Sequence, residues 1–412
     1  MVSNNRVLVI GAGIVGLAVA YHLWRDGADV TVIDRDPAGD KTSFGNAGGI
    51  AVPEVLPIAA PGIVWKVPRW LLDPLGPLAI RVPYAPYLTP WLWRFLRAGR
   101  PASVRHGAAA LAALTGRVLG DLVPMLEQTG LVGELHRDGS LSVYTSRHAL
   151  AQDEAAWALI RSHGITASEL TREELLAMEP ALGPIAACGV FTPQWSRIND
   201  PRTLTDSLRT WLQAAGVAMV AGSVADVAAD HTVRLQDGRV FQAGAVVIAG
   251  GAWSGQLAQR LGDKVRLESE RGYNTTIPSP GIVVKRPITF AEHHFVASPL
   301  SCGLRIGGAA EFGGLRAAAN YRRSAALLKL AQRYLPGLRG EGGVVWAGHR
   351  PSTPDSLPVI GESPRRKDVF YAFGHGHLGL TLSATTGRLV ADLVARRPPP
   401  IDMTPYAITR FA

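Results

Sequence analysis

The run RVLVI at residues 6–10 is β-branched and apolar and reads as a strand. Glycines interrupt it, and apolar residues then recur at helical spacing as far as Gly27. A second strand follows in ADVTVID, residues 28–34, completing a βαβ unit with a glycine turn between its first strand and helix. The pattern returns far downstream. Residues 203–216 have helical spacing and close on a glycine, 217–222 form a strand, and Asp237-Gly238 joins 232–235 to 239–242 as a hairpin. The buried-looking run 245–251 enters a helix near Trp253, and the chain closes with a strand at 368–374, a glycine loop and a helix over 379–396. Between these blocks lie helical patterns at 106–129 and 148–163, a short strand at 139–144, and alternating strands across 265–312. No internal repeat is present.

These elements predict an α/β fold of two domains: a Rossmann-like nucleotide-binding domain and a second domain built on a mostly antiparallel sheet. The first is discontinuous, with expected pieces at 1–60, 198–265 and 347–397; the second takes 61–197 and 266–346, and 398–412 form a tail. Composition supports a globular chain, since 47% of its 412 residues are hydrophobic and 18% charged. The net charge of +9 suits an acidic partner, an anionic membrane surface or an anionic cofactor, while the lack of any long Lys/Arg run argues against nucleic acid. Cys188 and Cys302 alone exclude a disulfide framework or a Cys-rich metal site as the organising principle, and point to a reducing cytoplasm. Neither a secretory signal nor an uninterrupted apolar segment of bilayer length is evident. Residues 61–100 carry Trp65, Trp70, Trp91 and Trp93 among prolines and basic residues. That composition fits either an interfacial membrane patch or core and oligomer contacts.

Gly11, Gly13 and Gly16 fit G-x-G-x-x-G between strand and helix. The first permits the tight turn, the second lets backbone approach a pyrophosphate, and the third lets the helix pack on the strand. The amides of Ile14 and Val15 then open a helix N-terminus toward the phosphates, and Asp34, with Arg35 beside it, ends the second strand where a carboxylate receives ribose hydroxyls. His375 and His377 lack a third ligand at metal spacing, so no metal site is predicted.

The order of several further motifs carries a resemblance. These are 42-TSFGNAGGI-50, 61-PGIVWKVPRWLLDPLGPLAIR-81, 271-RGY-273, 349-HRPSTPDSLPVIG-361 and 374-GHGHLGLTLSATTG-387. With the N-terminal glycine unit, they make the chain resemble the FAD-dependent D-amino-acid oxidase superfamily, and within it the bacterial D-amino-acid dehydrogenases. The resemblance spans nearly the whole sequence. It implies that Thr42, Ser43, Asn46, Gly48, Gly49 and Ile50 lie along FAD, with Val224 at the adenine. It further implies that Ala249, Gly250, Gly251 and Trp253 close over the dinucleotide. The loop Gly376, His377, Leu378, Gly379, Leu380 and Thr381 would present a helix N-terminus to the flavin ring, stabilising its reduced, negative form.

Arg350 matches the family's carboxylate-binding arginine, whose planar fork suits two parallel charge-assisted hydrogen bonds; a structural pairing with Asp355 is the competing reading. Tyr273 would point its phenol into the pocket, a buried core tyrosine being the competing reading. His293, His294 and Arg305 would lie on strands roofing it, one histidine facing inward, with a histidine pair on a surface strand as the alternative. The expected reaction is oxidation of a D-amino acid or cyclic D-imino acid, D-proline and hydroxy-D-proline included, by hydride transfer from Cα to flavin N5. An imine results, and electrons pass to a quinone or other respiratory acceptor. Peripheral contact with the inner face of the cell membrane and a homo-oligomer accompany that expectation. A glycine- or sarcosine-type oxidase making hydrogen peroxide, or a flavin-carrying subunit without turnover, are the alternatives.

Overall fold

The computed structural model describes residues 5–59 and 78–412. Trp65, Trp70 and most of the motif at 61–81 therefore lie outside the described residues.

One sheet has six strands in the order Ala218–Ala221, Asp29–Asp34, Arg6–Ile10, Ala245–Ile248, Val369–Phe373 and Val359–Glu362. The first five run parallel and the last closes the edge antiparallel. Its central strands, RVLVI, AVVI and VFYAF, are almost wholly buried, as expected when helices cover both faces of a parallel sheet. Helix Ile14–Arg25 lies against helix Ser383–Val394, and their backbones meet at Gly387, where a Cβ would stand 2.5 Å from the Ala18 carbonyl oxygen. Helix Pro201–Ala214 begins two residues before its sequence pattern, because Asp200 caps the Arg202 amide and proline occupies the first turn.

The second sheet has nine strands and is mostly antiparallel, as predicted. Its long strands Glu268–Ile277, Gly303–Phe312 and Val344–Ser352 pack one face on helix Arg322–Tyr334, with Ile277, Ile306, Leu327 and Tyr334 buried between. The three-stranded unit Val224–Val227, Thr232–Leu235 and Val240–Gln242 is a separate sheet whose Val227, Val233 and Leu235 pack against the parallel sheet beside Leu8, Ile10 and Ile248.

Three expectations need correction. Helices Pro101–Thr115 and Val118–Gln128, grouped by sequence with the second domain, bury Leu111, Leu114, Leu122 and Met125 in the core of the parallel sheet. Together, Pro101–Gln128 are also long and apolar enough to cross a bilayer by length and composition, a stretch missed because Arg and Pro interrupt its pattern. That apolar face is largely engaged by the core, which accounts for its composition. Finally, the closing helix starts at Ser383 rather than near Gly379, after a separate turn closed by Leu382 N–H donating to the Leu378 carbonyl.

Candidate active site

A cavity of about 1480 Å³ runs between the two sheets, larger than the 300–1,000 Å³ usual for one small ligand. At one end the first glycine turn follows the Arg6–Ile10 strand. Gly11 has φ +118° and an added Cβ would meet the Ala249 carbonyl oxygen at 2.4 Å; a Cβ on Gly16 would meet the Gly11 oxygen at 1.9 Å. Gly11, Gly13, Ile14 and Val15 line the cavity, whereas Gly16 serves the helix–strand contact behind it. The helix has no acidic residue in its first turn and no side-chain cap from Gly13; the Ser43 hydroxyl meets its Ile14 amide, and with no negative group there the positive end of the helix suits an anion.

Asp34 accepts the Ala12 amide at 2.8 Å on one oxygen and Lys41 Nζ at 3.1 Å on the other. Val224 lines the cavity two residues beyond Gly222, whose amide donates to the Asp34 carbonyl. Arg35 stacks over the Trp253 ring at 4.0 Å, and Ala249, Gly250 and Gly251 complete this wall.

The 42–51 segment is stitched to every neighbour. Ser43 Oγ accepts the Ile14 amide at 3.1 Å, Thr42 Oγ1 donates to the His349 carbonyl at 3.2 Å, and Thr381 Oγ1 accepts the Ala51 amide at 3.0 Å. Asn46 folds back on the Gly48 amide and reaches the His377 carbonyl at 3.4 Å. Thr42, Ser43, Asn46 and Gly49 line the cavity. Gly48 and Ile50 do not: Gly48 turns at φ +78° against the Ile198 carbonyl, and Ile50 is fully buried in the parallel-sheet core, one residue out of phase with the lining positions. Arg305, 7% exposed, clamps the segment by donating to the Phe44 and Asn46 carbonyls at 2.9 and 2.5 Å, with Nε on Thr276 Oγ1.

At the other end Gly376, His377, Leu378, Gly379, Leu380 and Thr381 face the cavity. Among the described residues, the amides of Gly379, Leu380 and Thr381 have no backbone acceptor, so three consecutive N–H groups are available there. His375 is buried against Thr386 Oγ1 at 2.9 Å, and burial pushes its imidazole down to about 3, which keeps it neutral. His377 is half-exposed, 4.0 Å from Glu54.

Arg350 enters from the Val344–Ser352 strand, with its guanidinium lying over Gly272: a Cβ there would stand 2.4 Å from Cζ. It is not paired with Asp355, which binds Arg410 at 2.8 Å. Its Nη1 donates to Glu270 Oε1 at 2.9 Å and to the Ala309 carbonyl at 3.1 Å. Ala309 is a bulged residue at φ +54°, where the register shifts between Gly272 and Tyr273.

Tyr273 and the histidines depart from expectation. Tyr273 borders the cavity, but alternation along its strand turns the ring into the second core, and its hydroxyl accepts the Asn320 amide at 2.9 Å. His293 and His294 are not on a strand: His293 ends a 3-10 turn against Tyr334, and His294 adopts left-handed φ 51° before the strand Phe295–Leu300. Of the pair, His294 reaches the cavity. Sequence reasoning also passed over Glu270, Lys41 and Trp346; Glu270 shares period-2 phase with Gly272, a signal usable only once the inward face is known.

The geometry fits an elongated dianionic cofactor: a glycine turn without Cβ, a helix end with no acidic residue in its first turn and only the Ser43 hydroxyl on its Ile14 amide, a carboxylate beside it and a second cluster of open amides. The sequence profile of the family described as "FAD dependent oxidoreductase" matches residues 6–393. The chain is 37% identical, over the full length of both, to a D-amino-acid oxidase of Bradyrhizobium diazoefficiens. It is 35% identical to a D-amino acid dehydrogenase of Paramagnetospirillum magneticum, covering 98% of this chain and 99% of that one. Its fold matches that of glycine oxidase from Geobacillus kaustophilus with a TM-score of 0.77 at 24% identity, over 99% of this chain and 100% of that one.

Proposed function

The chain belongs to the DAO family of FAD-dependent oxidoreductases, and from that premise we propose that it oxidises a D-amino acid or cyclic D-imino acid, with D-proline and hydroxy-D-proline among the candidates. Bound FAD supplies the hydride acceptor for the substrate's Cα–H. Arg350 carries the reading. Its fork faces the cavity over Gly272, and among the described residues only Nη1 is engaged, leaving Nε and Nη2 for a substrate carboxylate. Held there, the amino acid is oriented by its charged end, and no side-chain base at Cα is required. The open amides of Gly379, Leu380 and Thr381 favour negative charge beside them, which assists reduction.

Electrons then pass to a quinone or similar respiratory acceptor, a reading supported by the dehydrogenase names among the relatives. Tyr87 and Trp93, exposed on helix Ala85–Ala98 with Arg97, support peripheral contact with anionic lipid. Anaerobic mixing of the yellow holoenzyme with a panel of D-amino and imino acids should bleach the flavin with at least one of them. If none bleaches it, the proposal fails. The oxidase alternative, favoured by the oxidase among the relatives, is decided by hydrogen peroxide yield against quinone reduction.

A further inference from the structure

Arginine alone would suffice to hold a carboxylate, yet this arginine faces an acid. Glu270 is the direct cross-strand partner of Arg350, on the sheet face that also presents Gly272 and Trp346 to the cavity. Glu270 accepts Arg350 Nη1 on Oε1 and Ser352 Oγ on Oε2, at 2.9 and 2.8 Å, and both charged side chains remain partly open, 26% and 14%. Each carboxylate oxygen can accept a second hydrogen bond, so one lone pair on each is uncommitted to these partners. Three other charged groups near the pair are placed elsewhere. Arg305 is tied to Thr276 and the 44–46 carbonyls, Arg271 pairs with Glu311 by alternation on the opposite face, and His294 stands in the turn before the neighbouring strand.

The pair is thus electrically neutral, and a lone anion approaching Arg350 meets the Glu270 carboxylate beside it. A ligand carrying a carboxylate and an amine on one carbon meets complementary charge at both ends. We propose that Glu270 is the amine-binding half of a zwitterion clamp, receiving the substrate's N–H while Arg350 takes its carboxylate. The site thereby selects amino and imino acids over simple carboxylates and 2-hydroxy acids. This rests on the proposed amino-acid chemistry, with Arg350 as anchor. The carboxylate also holds the bound amine protonated to higher pH than it would otherwise be, so the amine-dependent limb of the kcat profile sits correspondingly high.

The test uses holoenzyme and whichever amino or imino acid bleaches the wild-type flavin, compared with the same carbon skeleton lacking nitrogen. Binding is read from flavin spectral perturbation and calorimetry. The wild type should prefer the nitrogen-bearing acid. Glu270→Gln should weaken that acid by about tenfold or more, the worth of one charge-assisted hydrogen bond. The same variant should tighten the nitrogen-free carboxylate and move the kcat limb to lower pH. Glu270→Asp, which keeps the charge, should retain the preference and covers the case in which the glutamine variant does not fold. Parallel weakening of both ligands would mean that Glu270 only positions Arg350, and unchanged affinities would mean that it touches neither; each overturns the proposal. A chain that no amino acid bleaches fails earlier, at the proposed function itself.

Discussion

Gly272→Ala isolates the placement of Arg350 from its charge. An added Cβ would stand 2.4 Å from Cζ and Nη2 and 2.9 Å from Nε of Arg350. Relief requires the guanidinium to lift by about 1 Å, a displacement that costs roughly 100-fold when it misplaces a reacting substrate. The same figure follows from losing about 3 kcal/mol of paired charge-assisted hydrogen bonding. Folding should be nearly indifferent, because the obstructing atoms end a flexible side chain and Gly272 is not in the left-handed region. Steady-state kinetics on the best panel substrate should therefore show kcat/KM down by about 100-fold. Thermal stability should change by no more than about 1 kcal/mol, with flavin content intact. An unchanged kcat/KM in a folded, yellow variant would refute the placement of the carboxylate on Arg350.

Gly11→Ala forces a Cβ against the Ala249 backbone at φ +118°, where nothing flexible can give way, so the variant should be colourless or insoluble; full FAD content would contradict the cradle. Arg305→Met removes the clamp on the Phe44 and Asn46 carbonyls and should raise the FAD dissociation constant about tenfold by flavin fluorescence, and an unaltered constant would dismiss the clamp. Burial pushes the imidazoles of His22 and His375 down to about 3, helped at His22 by Arg25 and Arg388. The unfolded chain therefore binds more protons between pH 6.5 and about 3, and stability must fall as pH drops through that window, by up to about 1.4 kcal/mol per pH unit for each histidine. Urea midpoints measured from pH 7 downward should show that slope, and His22→Met should flatten it; an identical slope in the variant would remove His22 from the account.

The glycine turn, Asp34 and the strands around them were legible in sequence because their determinants are local: a β-branched run, glycines at fixed spacing and an acid at the next strand end. Arg350 was legible through its motif, but its partner was not. Asp355, five residues on, was the candidate visible along the chain, whereas Glu270, eighty residues away, becomes its neighbour only through strand register. Tyr273 and Ile50 were misplaced for a related reason, since a strand's period of two says that alternate residues part company but not which set faces inward. That choice belongs to the apolar surfaces available on either side, here helix Arg322–Tyr334 for Tyr273 and the parallel-sheet core for Ile50. The sequence by itself determined the glycine-turn cradle, because that depends on short-range backbone chemistry, and singled out Arg350 as the proposed anchor through a family motif. Only the tertiary structure decided what stands opposite the anchor, because the charge beside Arg350 is set by how two distant strands pair.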